Sequence, residues 1–381
     1  MKELRDIVTV WKQLQDKQQT AALATLVKVE GSAYRRPGAK MLITSDGQQI
    51  GSISGGCLES DVKARSQTIL KTGIPSLVQY DTTSEEDLIW GLGLGCQGVA
   101  YIFIERLNLD RLNALSVIEQ CLSTKQAGAV ATVFKVEGTN SVAKGDRLLL
   151  YPDGNVISQI SNLELKDVVI RELQPVLQTQ KSISRFYGLT EGIAEVFLEV
   201  IQPPTSLIIF GAGFDVLPVV HFAKELGWYV TVIDPLARPM TKERFQKCDR
   251  LIQGFPNPTS ARLDLNEHTV AVVMSHNYLH DLEFLQTLIP LSLKYLGILG
   301  PKKRTNRLLQ DLRQEAIATE QLYSPVGLDI GADNPEQIAL SIIAEICAVT
   351  QNRQGGFLRN RLAPIHESCI VISQESRIVI S

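Results

Sequence analysis

LIIFGAGFDVLPVVHFAKELGWYVTVID, residues 207–234, reads as a strand, a Gly-x-Gly turn, a helix, a second strand and a terminal acid. In a dinucleotide-type fold Gly211 permits the tight turn and Gly213 lets backbone N–H groups approach a pyrophosphate at the helix N-terminus. The acid ending the second strand, here Asp234, takes a ribose hydroxyl in such a fold, and it lies 21 residues after Gly213 as that fingerprint asks. Val216 stands where the third glycine would be, Pro218 falls early in the helix, and Asp215 adds negative charge beside the turn. The stretch predicts a Rossmann-like scaffold and leaves the ligand of its turn open.

Working outward, TVAVVMS (269–275) and YLGILG (295–300) are further short apolar runs separated by helical stretches. That alternation is the signature of βαβ units and a doubly wound parallel sheet, placed over 203–352. Ligands of such sheets bind at the carboxyl ends of the strands, which singles out His276 and the Gly-Pro turn before Lys302, Lys303 and Arg304 as a candidate phosphate cradle. Asn334-Pro335 starts a last helix, and 353–381 forms a tail in which CIVIS and RIVIS read as a hairpin.

Upstream, residues 1–202 contain a duplication. ATLVKVEG (24–31) returns as ATVFKVEG (131–138), an offset of 107, and Asp46-Gly47 falls on Asp153-Gly154. GVAYIFIE (98–105) returns as GIAEVFLE (192–199), where the offset is 94. The two copies, about 20–106 and 127–200, each predict an α+β unit with an Asp-Gly hairpin. The fold class expected is thus α/β: a C-terminal Rossmann-like doubly wound parallel sheet preceded by an internally duplicated α+β domain.

A requirement of the fold should appear in both copies, so features of one copy alone are candidates for a site. Copy one has Gly55, Gly56, Cys57 and Glu59 where copy two has Asn162, Leu163, Glu164 and Lys166. It also has Arg35-Arg36 in GSAYRRPG, and GLGLGC with Gly93, Gly95 and Cys96. Cys57 falls at the start of a predicted helix, where the dipole favours a thiolate with nucleophilic or metal-ligating character. The plainer alternative makes both cysteines small buried hydrophobes. Structural zinc does not fit thiols 39 residues apart, and a thiol hydrolase lacks a histidine anywhere in the first 200 residues.

A net charge of −3 gives no reason to expect nucleic acid or an anionic membrane as partner. No apolar run reaches bilayer length, and the amphipathic N-terminus has no signal-peptide core, so the expected compartment is the cytoplasm.

The patterns GSAYRRPGAKM, GSISGGCLESDV and GLGLGCQG, with YLGILGPKKR and SPVGLDIGADNPEQIALSIIAEI further on, resemble the XdhC/CoxF family over nearly the whole chain. The resemblance implies a xanthine dehydrogenase accessory protein, more a non-catalytic cofactor-insertion chaperone than an enzyme. Such a protein binds the molybdenum cofactor, cooperates with a cysteine desulfurase in its sulfuration and inserts it into the apo-enzyme of a molybdenum hydroxylase, acting as a homodimer. Where the family commonly has GAGH, this chain has Phe214 and Asp215. Glycine loops, Arg35, Arg36 and Lys302–Arg304 suit the polar, phosphate-bearing pterin, and Cys57 and Cys96 suit a soft metal such as molybdenum. Two rival readings stand beside it: an NAD(P)-dependent oxidoreductase using Gly211, Gly213 and Asp234, and an interaction scaffold with no small ligand.

Overall fold

The structure is a computed structural model and describes residues 1–82, 98–109, 112–139, 141–255, 263, 265–266, 268–312, 322–363, 365 and 378–379. The chain divides into two compact units, one of 3–203 with 361–381 and one of 1–2 with 204–360. Among the described residues no helix is long and apolar enough to cross a membrane.

The front unit opens with α1 (Lys2–Asp16) and continues through β1 (Ala21–Gly31), β2 (Lys40–Thr44), β3 (Gln49–Gly51), α2 (Glu59–Thr72), β4 (Ser76–Asp81) and β5 (Gly98–Leu107). After α3 (Ala114–Thr124) the same series returns as β6 (Gly128–Glu137), β7 (Arg147–Leu150), β8 (Val156–Ser158), α4 (Leu163–Thr179), β9 (Ile183–Leu189) and β10 (Gly192–Ile201). The first sheet runs β3-β2-β1-β5-β4 and the second repeats that order as β8-β7-β6-β10-β9. β17 (Ile378–Val379) is added parallel to β9, and CIVIS of the expected hairpin lies outside the described residues. Asp-Gly turns join β2 to β3 and β7 to β8, with Gly47 and Gly154 at φ +86° and +84°, where a side chain would be strained. Even the irregularities repeat: one β-bulge falls at Val27 and the other at Phe134, the same position of each copy.

Alternation along each strand divides its side chains between two cores. Ala22, Ala24 and Leu26 of β1 lie with Val62 and Ile69 of α2, while Leu23 joins Ile7 and Trp11 of α1 and Ile118 of α3. Ala129, Ala131 and Val133 of β6 lie with Leu165, Val169 and Leu173 of α4. Between the copies, Val27, Phe103, Phe134 and Phe197 form a small shared core. Two buried ion pairs flank it, Lys40 with Glu199 and Arg147 with Glu105, each joining one copy to the other at exchanged positions. Breaking either would leave a charge buried without its partner, which is far costlier than never having placed the pair there.

The second unit is the expected Rossmann-like sheet. Its strands are β11 (Ser206–Phe210), β12 (Tyr229–Asp234), β13 (Arg250–Gln253), β14 (Thr269–Val273), β15 (Tyr295–Ile298) and β16 (Leu322–Tyr323). They are all parallel, in the order β13-β12-β11-β14-β15-β16. Alternation again sets the layers. Leu207, Ile209, Val230 and Val272 face α5 (Val216–Glu225) and α9 (Pro335–Thr350), and Ile208, Phe210, Ile233 and Val273 face α7 (Tyr278–Leu288) and α8 (Lys302–Asp311). A short α6 (Thr241–Arg244) lies between β12 and β13. The strand order reverses between β11 and β14, so the crevice at their carboxyl ends is the topological switch point.

Candidate functional site

The difference between the copies becomes concrete where each enters its long helix. In copy two, Asn162 accepts a hydrogen bond from Leu165 N (2.8 Å) and α4 begins at Leu163. In copy one the helix begins only at Glu59, the position matching Lys166. One helical turn of copy two is therefore replaced in copy one by the loop Gly55–Leu58. Gly56 makes this possible, because at φ +112° it takes a backbone shape that side chains resist.

Unwinding a turn strands its backbone donors, and the sequence supplies substitutes. Ser54 Oγ accepts from Gly56 N and from Leu58 N, both at 3.2 Å. Glu59, only 7% exposed, turns back over the loop. It accepts from Ser52 Oγ (2.8 Å), Ile53 N (3.2 Å), Ser54 N (2.9 Å) and Ser54 Oγ. Burial would raise the Glu59 carboxyl, but the Ser54 and Ser52 hydroxyls and the Ser54 N–H outweigh it and hold the group down at about 2. A permanently ionised, hydrogen-bonded carboxylate thus fixes the loop from beneath.

What the loop presents outward is Cys57. Its thiol is exposed, with Sγ 3.5 Å from Ser54 Oγ. Beside it, a side chain built on Gly56 would meet nothing within 4 Å, so the backbone there is open to an approaching molecule. The ring of Tyr34 lies against Gly55, 3.4 Å from where a Cβ would stand, and brings the Arg35-Arg36 loop to the cysteine loop. Arg35 is held by Glu3 of α1 through two hydrogen bonds of 2.5 and 3.0 Å, which raise its pKa further. Arg35, Gly55, Gly56, Cys57 and Glu59 are thus assembled in one place. Gly93, Gly95 and Cys96 lie outside the described residues. Among the described residues no three His, Cys, Asp or Glu side chains gather as a metal site. Cys121 is buried, and burial pushes its thiol up to about 12, so it packs as a hydrophobe.

The second group of candidates sits at the switch point. Gly211, at φ +142°, passes so close to β14 that a Cβ would lie 2.4 Å from Met274 O. His276 follows β14 in a left-handed conformation (φ +58°), and its Nε2 lies 2.7 Å from Asp215 Oδ2 across the turn. The place where a pyrophosphate would approach Gly213 is thus faced by a carboxylate. Asp234 is fully buried and accepts from Leu236 N (3.2 Å), Arg238 N (3.0 Å), the Arg238 guanidinium (3.3 Å) and Thr241 Oγ1. Its oxygens are thus engaged by the loop that follows β12. Arg238 also reaches the Ala212 carbonyl (2.9 Å), and Arg244 lies over the exposed ring of Phe214 at 4.7 Å. Lys302 and Lys303 are exposed in the first turn of α8, whereas Arg304 is drawn down to buried Asp281 at 2.5 Å. Sequence reading missed Tyr34, Ser52 and Ser54 as parts of the cysteine loop. It also missed Arg238, whose signal was its place one helical turn after the strand-ending acid.

The chain matches two family models. The XdhC and CoxI family model matches twice, over 14–81 and 121–188, once per copy, and the XdhC Rossmann domain model matches 207–346. The chain is 36% identical over 338 residues to a Bacillus subtilis (strain 168) protein described as a probable xanthine dehydrogenase subunit, covering 89% of this chain and 96% of that one. It is 22% identical over 338 residues to the molybdenum cofactor insertion chaperone PaoD of Escherichia coli (strain K12), covering 88% and 85%. The crystal structure of a xanthine dehydrogenase from Bacillus halodurans superposes with a TM-score of 0.73 at 32% identity, covering 91% of this chain and 96% of that one.

Proposed function

Because the chain belongs to the XdhC and CoxI family, we propose that it is an accessory protein that binds the molybdenum cofactor and passes it to a molybdenum hydroxylase of the xanthine dehydrogenase type. The observation that carries this reading is the unwound turn Gly55–Leu58, which occurs in one copy only and exposes a thiol on a loop fixed by a buried carboxylate. The likeness to PaoD supports the choice of ligand.

The residues fit such a group. Open backbone at Gly56 admits a flat ligand, the Cys57 thiol is a soft donor suited to molybdenum, and the Arg35-Arg36 loop brings cations toward a phosphate. When bound, the cofactor supplies the oxygen-transfer chemistry of the hydroxylase that receives it. This chain's residues hold and orient: Glu59 fixes the loop, Tyr34 packs on Gly55, and Cys57 faces the ligand. Cys96 belongs to the same proposal as a further soft donor, and His276, Lys302 and Lys303 are proposed separately as cofactor-binding residues of the second unit by itself. A role in sulfuration with a cysteine desulfurase, a homodimer and a cytoplasmic location also belong to the proposal.

The test is to purify the parent protein and Cys57→Ala from cells making the cofactor, then measure molybdenum and oxidised pterin per chain. Near-stoichiometric pterin in the parent and a loss of at least about tenfold in the variant are expected. Equal pterin in both would remove Cys57 from the site, and pterin in neither would remove the ligand.

A further inference from the structure

The seam between the two copies has a second asymmetry, at the opposite end of α2 from Cys57. The helix has 14 residues, so the two places are about 21 Å apart along its axis. Here Gly73, Glu105, Arg106, Asn113, Lys144 and Arg147 line a small pocket that opens to solvent. Its deepest cation is Arg147, whose side chain is 5% exposed. One of its nitrogens, Nη2, pairs with Glu105, and Nη1 donates to the Leu112 carbonyl (3.3 Å). The third, Nε, is buried and has no acceptor among the described residues. Arg185 Nε and Arg244 Nε are likewise buried without an acceptor among the described residues, and the Arg147 side chain is the one that lines this pocket.

Around it the pocket gathers donors beyond what the fold uses. Arg106 donates to Asn108 Oδ1 (2.9 Å) and the Leu70 carbonyl (3.2 Å), both uncharged, and has no carboxylate partner among the described residues. Lys144 is exposed at the rim. The N-terminus of α3, capped by Asn113, opens onto the same pocket and favours negative charge. Two of the three matching positions on the other side of the seam are not basic. Arg106 corresponds to Val200 and Lys144 to Pro37, and Arg147 corresponds to Lys40, which is satisfied by Glu199 and the Gly38 carbonyl (3.3 Å). Each side of the seam thus has one buried, paired cation, and one side carries Arg106 and Lys144 in addition.

We propose that Arg106, Lys144 and Arg147 form a binding site for a tetrahedral oxyanion, separate from the cysteine loop. Its occupant is a free inorganic oxyanion or the terminal phosphate of a larger molecule, since both present the same acceptors. Neither chemistry nor electron transfer is involved; the anion binds.

The test is calorimetric titration of the dialysed full-length protein with inorganic sulfate, phosphate and molybdate, using chloride as control. Saturable binding of at least one oxyanion near one per chain is expected. It should weaken at least about tenfold in Arg106→Ala/Lys144→Ala and stay unchanged in Cys57→Ala. Lys144→Ala alone removes only an exposed amine, so its fold is not at stake, and it should weaken binding about threefold. No saturable binding by any oxyanion overturns the proposal, and so does unchanged affinity in Lys144→Ala or in the double variant. Competition by ribose 5-phosphate would assign the site to a phosphorylated molecule, and its failure to compete to a free oxyanion. Because Cys57→Ala is the parent of neither variant, loss of cofactor binding and loss of oxyanion binding are read independently.

Discussion

Replacing Glu59 by Gln keeps the shape of the side chain and removes its charge. The carboxylate receives four hydrogen bonds from Ser52, Ile53 and Ser54, and its pKa stands near 2 against an ordinary 4.5. At about 1.4 kcal/mol per pH unit, that gap corresponds to at most about 3.5 kcal/mol of stability. A depressed folded-state pKa sets the sign: the contribution is complete above pH 4.5 and is lost as pH falls from there toward 2. The amide also points an N–H at the Ser54 hydroxyl, which already accepts from Gly56 and Leu58. Glu59→Gln should therefore cost about 2–3 kcal/mol near pH 7, with the difference shrinking at pH 3. Urea unfolding at both pH values gives the global cost, and hydrogen exchange over residues 52–58 gives the local one. A cost below about 0.5 kcal/mol, or one equal at pH 7 and pH 3, would refute the account of how the loop is held.

Other perturbations test other parts of the structure. Lys40→Met leaves Glu199 buried without its cation and should destabilise by about 3–5 kcal/mol, while Lys40→Met/Glu199→Leu should regain most of that in urea unfolding. Gly211→Ala places a Cβ 2.4 Å from Met274 O and should lower the melting temperature, with a cost of at least about 1–3 kcal/mol. Brief alkylation of the native protein followed by peptide mass analysis should label Cys57 and spare Cys121, and equal labelling would contradict the burial assigned to Cys121. With Asp234 turned inward and Asp215 facing the turn, NADH and NADPH should show no saturable binding below about 1 mM, and micromolar binding would restore the oxidoreductase reading.

Much of this architecture is legible in sequence because it is periodic. Alternating apolar residues give the strands, and the offset of 107 carries Ala24 onto Ala131 and even the bulge at Val27 onto Phe134. The alternation of short apolar runs with helical stretches gives the parallel sheet, and the Gly-x-Gly turn marks its first strand-to-helix crossing. What is not periodic stays hidden. Lys40 and Glu199 are 159 residues apart and look like ordinary surface charges, as do Arg147 and Glu105. Asp234 reads as a ribose ligand by spacing alone, yet which way it faces depends on Arg238 and Thr241 in the following loop. For the candidate site, the contrast between copies pointed to Gly55, Gly56 and Cys57. That Glu59 replaces a helical turn's worth of caps follows only from the three-dimensional register of α2 against α4.

A cofactor received by the cysteine loop of copy one, and not by its counterpart in copy two, requires the two loops to respond differently to substitution. Equilibrium titration of isolated molybdenum cofactor tests it most directly, using the full chain, Cys57→Ala and a control variant of the copy-two loop, Asn162→Ala. Saturable binding to the full chain and to Asn162→Ala is expected, with affinity at least about tenfold weaker in Cys57→Ala. Equal affinity in all three proteins would contradict it.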